Sequence, residues 1–182
     1  MADGRSNPSW TRVSIHDRPS VVAERARAGD WEVDLMSFSK PGQFLLVAHE
    51  RRSRRTLWMR QETRTAQSVA DNLSAMVVAM LPHACHSMTF DNGTEFSKHY
   101  LLTRRFGIAT WFCDTHSPWQ KGGIENAIGR MRRLLPKNTD LDVLPTHGLA
   151  NVMQRQNNTP RKCLAFKTPN EVFLDHSVAL QT

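Results

Sequence analysis

The sequence predicts an α/β domain with a five-stranded mixed sheet and helices on both faces. Three observations predict it. Three strand-like runs follow one another closely between residues 31 and 59. Short turn-like segments join them, which favours antiparallel neighbours. Helix, strand, helix, strand and helix patterns then alternate up to residue 135.

WEVDLMSF (31–38) alternates, with Trp31, Val33 and Leu35 on one face and Glu32 and Asp34 on the other. That pattern predicts a half-buried strand. Lys40-Pro41-Gly42 is a turn. FLLVAHE (44–50) and TLWM (56–59) are the second and third strands. In AQSVADNLSAMVVAM, Val69, Leu73, Met76, Val77 and Met80 fall at helical spacing, and Pro82 lies just beyond. SMTF (87–90) is a short strand running into the turn Asp91-Asn92-Gly93. Residues 96–106 suit a helix closed by Gly107, and IATWF (108–112) is the fifth strand. After a loop with Pro118, Gly122 and Gly123, Ile124, Ile128, Met131 and Leu135 form one apolar helix face, stopped by Pro136. A helix over about 147–156 follows, and Thr168-Pro169-Asn170-Glu171 is a capping box with Pro at the first helical position. This order is that of a ribonuclease-H-like fold.

With 182 residues the chain suffices for one domain, expected over 29–176, with a basic tail or linker at 1–28 and a short tail at 177–182. It carries 24 Lys and Arg against 17 Asp and Glu, a net charge of +7, which favours a polyanionic partner such as nucleic acid. No apolar run is long enough to span a membrane, and the N-terminus lacks the apolar region of a signal peptide. Cys85, Cys113 and Cys163 are odd in number and widely spaced, so they read as reduced intracellular thiols.

Three acids stand out by position. Asp34 lies in the first strand, where a solvated side chain is the simplest reading. Asp91 ends a strand and could form an Asx-turn. Glu125 is the only acid between Asp114 and Asp140, amid Lys121, Arg130, Arg132, Arg133 and Lys137. A helix ion pair explains it poorly, because Gly129 stands at i+4 and Lys121 precedes it in the less favourable order. Favour from the helix dipole remains a fair alternative.

The blocks RPSVVAERARAGDWEVDL, TFDNGTEF, CDTHSPWQKGGIENAIGRMRRLLPKNTDL and NNTPRKCLAFKTPNEVF, in that order, resemble the catalytic domain of DDE transposases of insertion-sequence family 30, which share the integrase core. The resemblance covers about residues 18 to 173. It maps the family's acidic triad onto Asp34 in WEVD, Asp91 in FDNG and Glu125 in GGIEN. It implies metal-dependent cleavage and strand transfer of an insertion sequence, with two Mg²⁺ ions, or Mn²⁺, held by those three residues. Such chemistry needs hard oxygen ligands and leaves metal positions open to DNA oxygens. Asp34 would be the bridging ligand. The freed 3′-hydroxyl would attack a target phosphodiester directly, without a covalent protein–DNA intermediate. DNA, both element ends and target, is the expected partner, and a homo-oligomer is expected because two ends must be joined. A bacterial, cytoplasmic, nucleoid-associated location goes with it, with no membrane and no small-molecule substrate.

The expected DNA-backbone contacts are Lys121, Arg130, Arg132, Arg133, Arg161 and Lys162, against the alternative of a solvated basic face or local packing. Arg51, Arg52, Arg54 and Arg55 could touch DNA, although loop solubility is simpler, and packing is the simpler role for Trp119. A zinc site from His83, Cys85, His86, Cys113 and His116 is disfavoured, because His83-x-Cys85-His86 is cramped and lacks a second ligand pair. Three residues depart from the family pattern. Val33 replaces a glycine and is expected to narrow the space beside Asp34, Ile128 replaces an Asn, and Thr159 replaces an Arg. Relatives usually begin with a helix-turn-helix region, for which the first 28 residues are too short and irregular. The alternative function is therefore a truncated, inactive relative that only binds DNA or a transposase. A ribonuclease-H-type nuclease is a third reading.

Overall fold

The computed structural model describes residues 11–80 and 84–179. In chain order its elements are β1 (Val13–Ser14), α1 (Ser20–Ala23), β2 (Asp30–Ser37), β3 (Phe44–Glu50), β4 (Thr56–Gln61) and α2 (Ala66–Val78). They continue with β5 (Ser87–Phe90), α3 (Tyr100–Phe106), β6 (Ala109–Phe112), α4 (Gly122–Met131), α5 (Thr146–Asn157) and α6 (Pro169–Ala179). Pro82 and His83 lie outside the described residues.

The strands form one mixed sheet in the order β1-β6-β5-β2-β3-β4. β2, β3 and β4 are antiparallel neighbours, whereas β5 runs parallel to β2 and β6 runs parallel to β5. The sheet thus has six strands, where five were expected. The extra strand is β1, which pairs parallel with β6 at Val13–Trp111 and Ser14–Phe112. Two residues carry no alternation to read, so nothing in the sequence marks them. Residues 11–28 are likewise more than a tail. Ile15 and Val22 are buried, and the Arg12 guanidinium donates to the carbonyls of Asn92 and Gly93 while lying 4.9 Å from the Phe112 ring centre.

Alternation along β2 sorts the core. Trp31 and Val33 face a cluster with α2, α3 and α6, built around Leu73, Phe90, Leu102 and Phe173. Met36 faces the other cluster, where Leu45 and Val47 of β3 meet Ile124 and Met131 of α4. Helices cover both faces, so β2 is buried on both sides where a half-buried strand was expected. Even Glu32 is only 1% exposed, because α4 lies across its face.

Local chemistry fixes the helix ends. Thr65 Oγ1 accepts from Ser68 N at the start of α2. At α6 the capping box forms in full, Glu171 N donating to Thr168 Oγ1 and Thr168 N to Glu171 Oε2. The helix expected over 96–106 opens as a 3-10 turn at Thr94–Phe96, and only Tyr100–Phe106 is α-helical. It closes on Gly107, whose φ of 70° is the left-handed conformation a glycine adopts at little cost.

Candidate active site

Asp34 stands in β2 on the face turned to α4, and Asp91 follows the last residue of the adjacent β5. Each carboxylate ties one oxygen to backbone. Asp34 Oδ1 accepts from Leu35 N at 2.8 Å, and Asp91 Oδ1 accepts from Gly93 N at 2.9 Å, closing the expected Asx-turn. The second oxygen of each turns to a common cation. Lys121 Nζ donates to Asp34 Oδ2 and to Asp91 Oδ2, both at 3.2 Å, and to the Val33 carbonyl at the same distance. Three donor hydrogens therefore meet three acceptors.

Lys121 reaches this position from the 3-10 turn Pro118–Lys121 that leads into α4, and it is buried. Charges so placed shift one another. Burial pushes the Asp34 carboxyl above its usual range, the Lys121 ammonium pulls it back, and the Asp91 charge adds to the rise. Burial draws the Lys121 ammonium down, but the two carboxylates outweigh it and hold it above the ordinary lysine value.

Glu125 sits in the first turn of α4 with its side chain exposed, and it lines the same cavity as Asp34 and Asp91. That cavity has a volume of about 370 Å³ and is also walled by Cys113, Asp114 and His116. All three acids therefore line one cavity. Their donor set is hard oxygen, suited to Mg²⁺ or Mn²⁺. Two carboxylates already share one positive charge, which is the arrangement a bridging cation requires. As placed, however, no three His, Cys, Asp or Glu side chains among the described residues cluster closely enough to hold one ion together.

A fourth acid, not singled out from the sequence, holds α4 in place. Glu32 Oε2 accepts from Ile124 N at 2.8 Å, and its other oxygen is ion-paired with Arg51. This carboxylate at the first turn of α4 satisfies an otherwise open backbone donor and complements the helix dipole. Gly123 makes the approach possible: a Cβ there would stand 2.7 Å from Glu32 Oε2 and 3.3 Å from His49 Cδ2. The signal was present, since Glu32 is two residues from Asp34 and so shares its face of the strand.

The basic residues divide. Lys121 faces inward, onto the acids. The Arg132 guanidinium donates to the Ser37 carbonyl and lies 4.9 Å from the Phe38 ring centre, a packing role. Arg130 and Arg161 line a separate cavity, while Arg133 and Lys162 are exposed. Arg51 is engaged by Glu32, whereas Trp119, expected to pack, is 72% exposed. Val33 lies in the core on the side of the strand away from Asp34, so it does not narrow the acidic cavity. Ile128 packs partly buried against the α4-side core, and Thr159 Oγ1 donates to the Arg155 carbonyl. Of the zinc reading, His83 lies outside the described residues, and the remaining members form no three-ligand cluster.

No family model matches the chain. It is 36% identical over 161 residues to the transposase for insertion sequence element IS1086 of Cupriavidus metallidurans, covering 88% of this chain and 48% of that protein. It is 36% identical over 166 residues to the transposase InsI for IS30C of Escherichia coli K12, covering 91% and 43% respectively. Against the IS4351 transposase of Bacteroides fragilis the identity is 30% over 162 residues, covering 89% and 49%. The chain thus spans about half the length of the curated relatives it matches. Among solved structures, the catalytic core domain of BIV integrase superposes with a TM-score of 0.66 at 19% identity, covering 85% of this chain and 99% of that one. A simian T-cell lymphotropic virus intasome chain gives 0.68 at 18% identity, covering 92% and 60%. The chain is a homologue of the insertion-sequence-30 transposases and has the ribonuclease-H-like fold of integrase catalytic cores.

Proposed function

We propose that the chain is the catalytic core of a transposase that cuts DNA and joins the freed 3′ ends of an insertion sequence to target DNA. The observation that carries this reading is the convergence of Asp34 and Asp91, from neighbouring strands, on one cation in a cavity also walled by Glu125. Homology to transposases of insertion sequences supports it. The core takes in the strands and helices of residues 29–176, buttressed by β1 and α1.

In this reading Asp34, Asp91 and Glu125 would hold Mg²⁺ or Mn²⁺. The bound ions would activate the attacking water or 3′-hydroxyl and stabilise the leaving oxygen. Asp34 and Asp91 accept positive charge through Oδ2, each steadied through Oδ1 by a backbone N–H. Lys121 keeps the two carboxylates together. Glu32 fixes the first turn of α4 and so the position from which Glu125 reaches the cavity. The exposed Arg133 and Lys162 and the arginines of the neighbouring cavity supply phosphate contacts, and two chains acting on two element ends account for an oligomer on DNA at the nucleoid.

The test is nicking of duplex DNA carrying the element ends, with Mg²⁺ or Mn²⁺. Asp34→Asn and Glu125→Gln should each abolish it while the far-ultraviolet circular dichroism stays unchanged. Equal cutting by the unmodified chain and both variants would sink the assignment. Binding without cutting would favour the binding-only relative, and preference for RNA–DNA hybrids would favour a ribonuclease.

A further inference from the structure

On the other side of the Gly122–Gly123 turn from Lys121 lies a second cavity, of about 360 Å³. Its walls carry Arg25, Arg54, Arg130, Arg161 and His49, with Cys163 at the side and no carboxylate. These arginines come from four separate parts of the chain, so their meeting is a product of the fold. None of the four forms an ion pair with an acid among the described residues. The nearby acid Glu32 is already engaged by Arg51 and by Ile124 N. Like charges gathered without a counterion repel, and the cost is visible: burial and then the Arg54 charge lower the Arg25 guanidinium, and burial and then Arg161 lower Arg130.

A second observation points the same way. His49 is 1% exposed, yet its Nε2 has no hydrogen-bond partner. Buried polar atoms are rarely left so. Its Nδ1 lies 3.0 Å from Thr56 Oγ1, and that oxygen is also approached by Gln156 Nε2 at 3.4 Å. In the tautomer where the Thr56 hydroxyl donates to His49 Nδ1, the ring carries its proton at Nε2, the unpartnered atom. The Nε atoms of Arg130 and Arg161 are likewise buried and unpartnered. Arg161 also donates to the Gln156 carbonyl at 2.8 Å, but its Nε, the Nε of Arg130 and His49 Nε2 stay unpartnered beside a cavity with no carboxylate.

We propose that this cavity is a phosphate-binding site that holds one backbone phosphodiester of the DNA, at the opposite side of the α4 entry turn from the acidic cavity. The site rests on the DNA reading above only for the source of its phosphate. A phosphodiester suits it because guanidinium groups fork onto phosphate oxygens and a neutral imidazole N–H can add a third donor. The arrangement would fix the DNA relative to Glu125, since the same turn carries both cavities.

The experiment uses the full chain with ¹⁵N-labelled histidine, titrated with inorganic phosphate at constant ionic strength set by chloride, and separately with a short DNA duplex. Both ligands should shift the His49 Nε2 resonance, and neither should shift it in the Arg25→Gln/Arg54→Gln double variant. The double variant should also lower the slope of log affinity for the duplex against log salt by about one, the loss of one phosphate contact. A His49 resonance unmoved by both ligands in the unmodified chain would overturn the site, and that readout needs no variant to fold. Movement with phosphate but not with a bound duplex would overturn the DNA source and leave a site for free phosphate. Neither readout depends on nicking, so failure of the enzymatic reading would appear separately.

Discussion

Gly123 and Gly129 stand on the same helix, and replacing each with alanine should move stability in opposite directions. In an exposed helix, glycine to alanine gains about 0.8–1 kcal/mol from the smaller loss of backbone freedom. At Gly129 a new Cβ meets nothing within 4 Å, so Gly129→Ala should realise most of that gain. At Gly123 the new Cβ would fall 2.7 Å from Glu32 Oε2, well inside contact distance, with His49 Cδ2 at 3.3 Å on another side. Glu32 is buried and held by Arg51, so it cannot swing to solvent. The carboxylate must draw back from Ile124 N, and a hydrogen bond to a charged group is worth about 1.5–3 kcal/mol. After the helix gain is subtracted, Gly123→Ala should destabilise by about 0.5–2 kcal/mol. The two variants should therefore differ by about 1.5–3 kcal/mol in urea unfolding, read as a shift in midpoint at unchanged slope. Equal and same-signed shifts would refute the claim that Glu32 pins the start of α4.

Lys121→Met removes the ammonium shared by Asp34 and Asp91. It should cost about 1–2 kcal/mol, the upper range of such losses being discounted for the 45% exposure of the Asp91 side chain. Mn²⁺ should then raise the melting temperature of the variant by more than that of the unmodified chain, because no internal cation competes. His49 is kept neutral by burial and by the surrounding arginines, Arg54 first among them. Its folded value is depressed, so the unfolded chain takes up a proton that the native ring refuses. Stability should fall as pH drops below about 6.5, by up to about 1.4 kcal/mol per pH unit from this residue. The decline between pH 6.5 and 5 should flatten in His49→Gln, read from urea midpoints across that range. Burial pushes the Cys85 thiol up to about 12 and that of Cys113 up to about 11, whereas Cys163 is exposed. At pH 8, iodoacetamide should label the native chain once, at Cys163, and three times in urea, as counted by mass spectrometry.

The longer strands and helices between residues 31 and 131 were legible because they show a period, although the helix read over 96–106 is α-helical only over Tyr100–Phe106 and the one read to Leu135 ends at Met131. The acids were legible by position: Asp34 within an alternating strand, Asp91 where a strand meets a turn, Glu125 at a helix start. What the sequence did not disclose depends on distant neighbours. β1 is two residues long and exists only because β6 offers it an edge. β2 reads as half-buried because its second face is polar, yet Asp30 and Glu32 are buried there by Ser87 and by α4. Lys121 looked like one more cation beside DNA, since nothing local says that a lysine ahead of a glycine pair turns inward. Arg25 and Arg54 share a cavity with Arg130 and Arg161 only after the sheet has closed.

The sheet order has a consequence for how the chain comes into being. β2 and β3 form a hairpin from adjacent segments, which a growing chain can make early. The other edge of β2 must wait for β5, 57 residues further along at the Asp30–Ser87 contact, and the Lys121–Asp34 contact spans 87 residues. Closing such long loops is slow compared with hairpin formation. An unfinished polypeptide on the ribosome therefore carries Asp34 well before β5 brings Asp91 beside it. The acidic cavity appears only once α4 has emerged and Glu32 has captured its first turn, so the cavity is completed late and all at once.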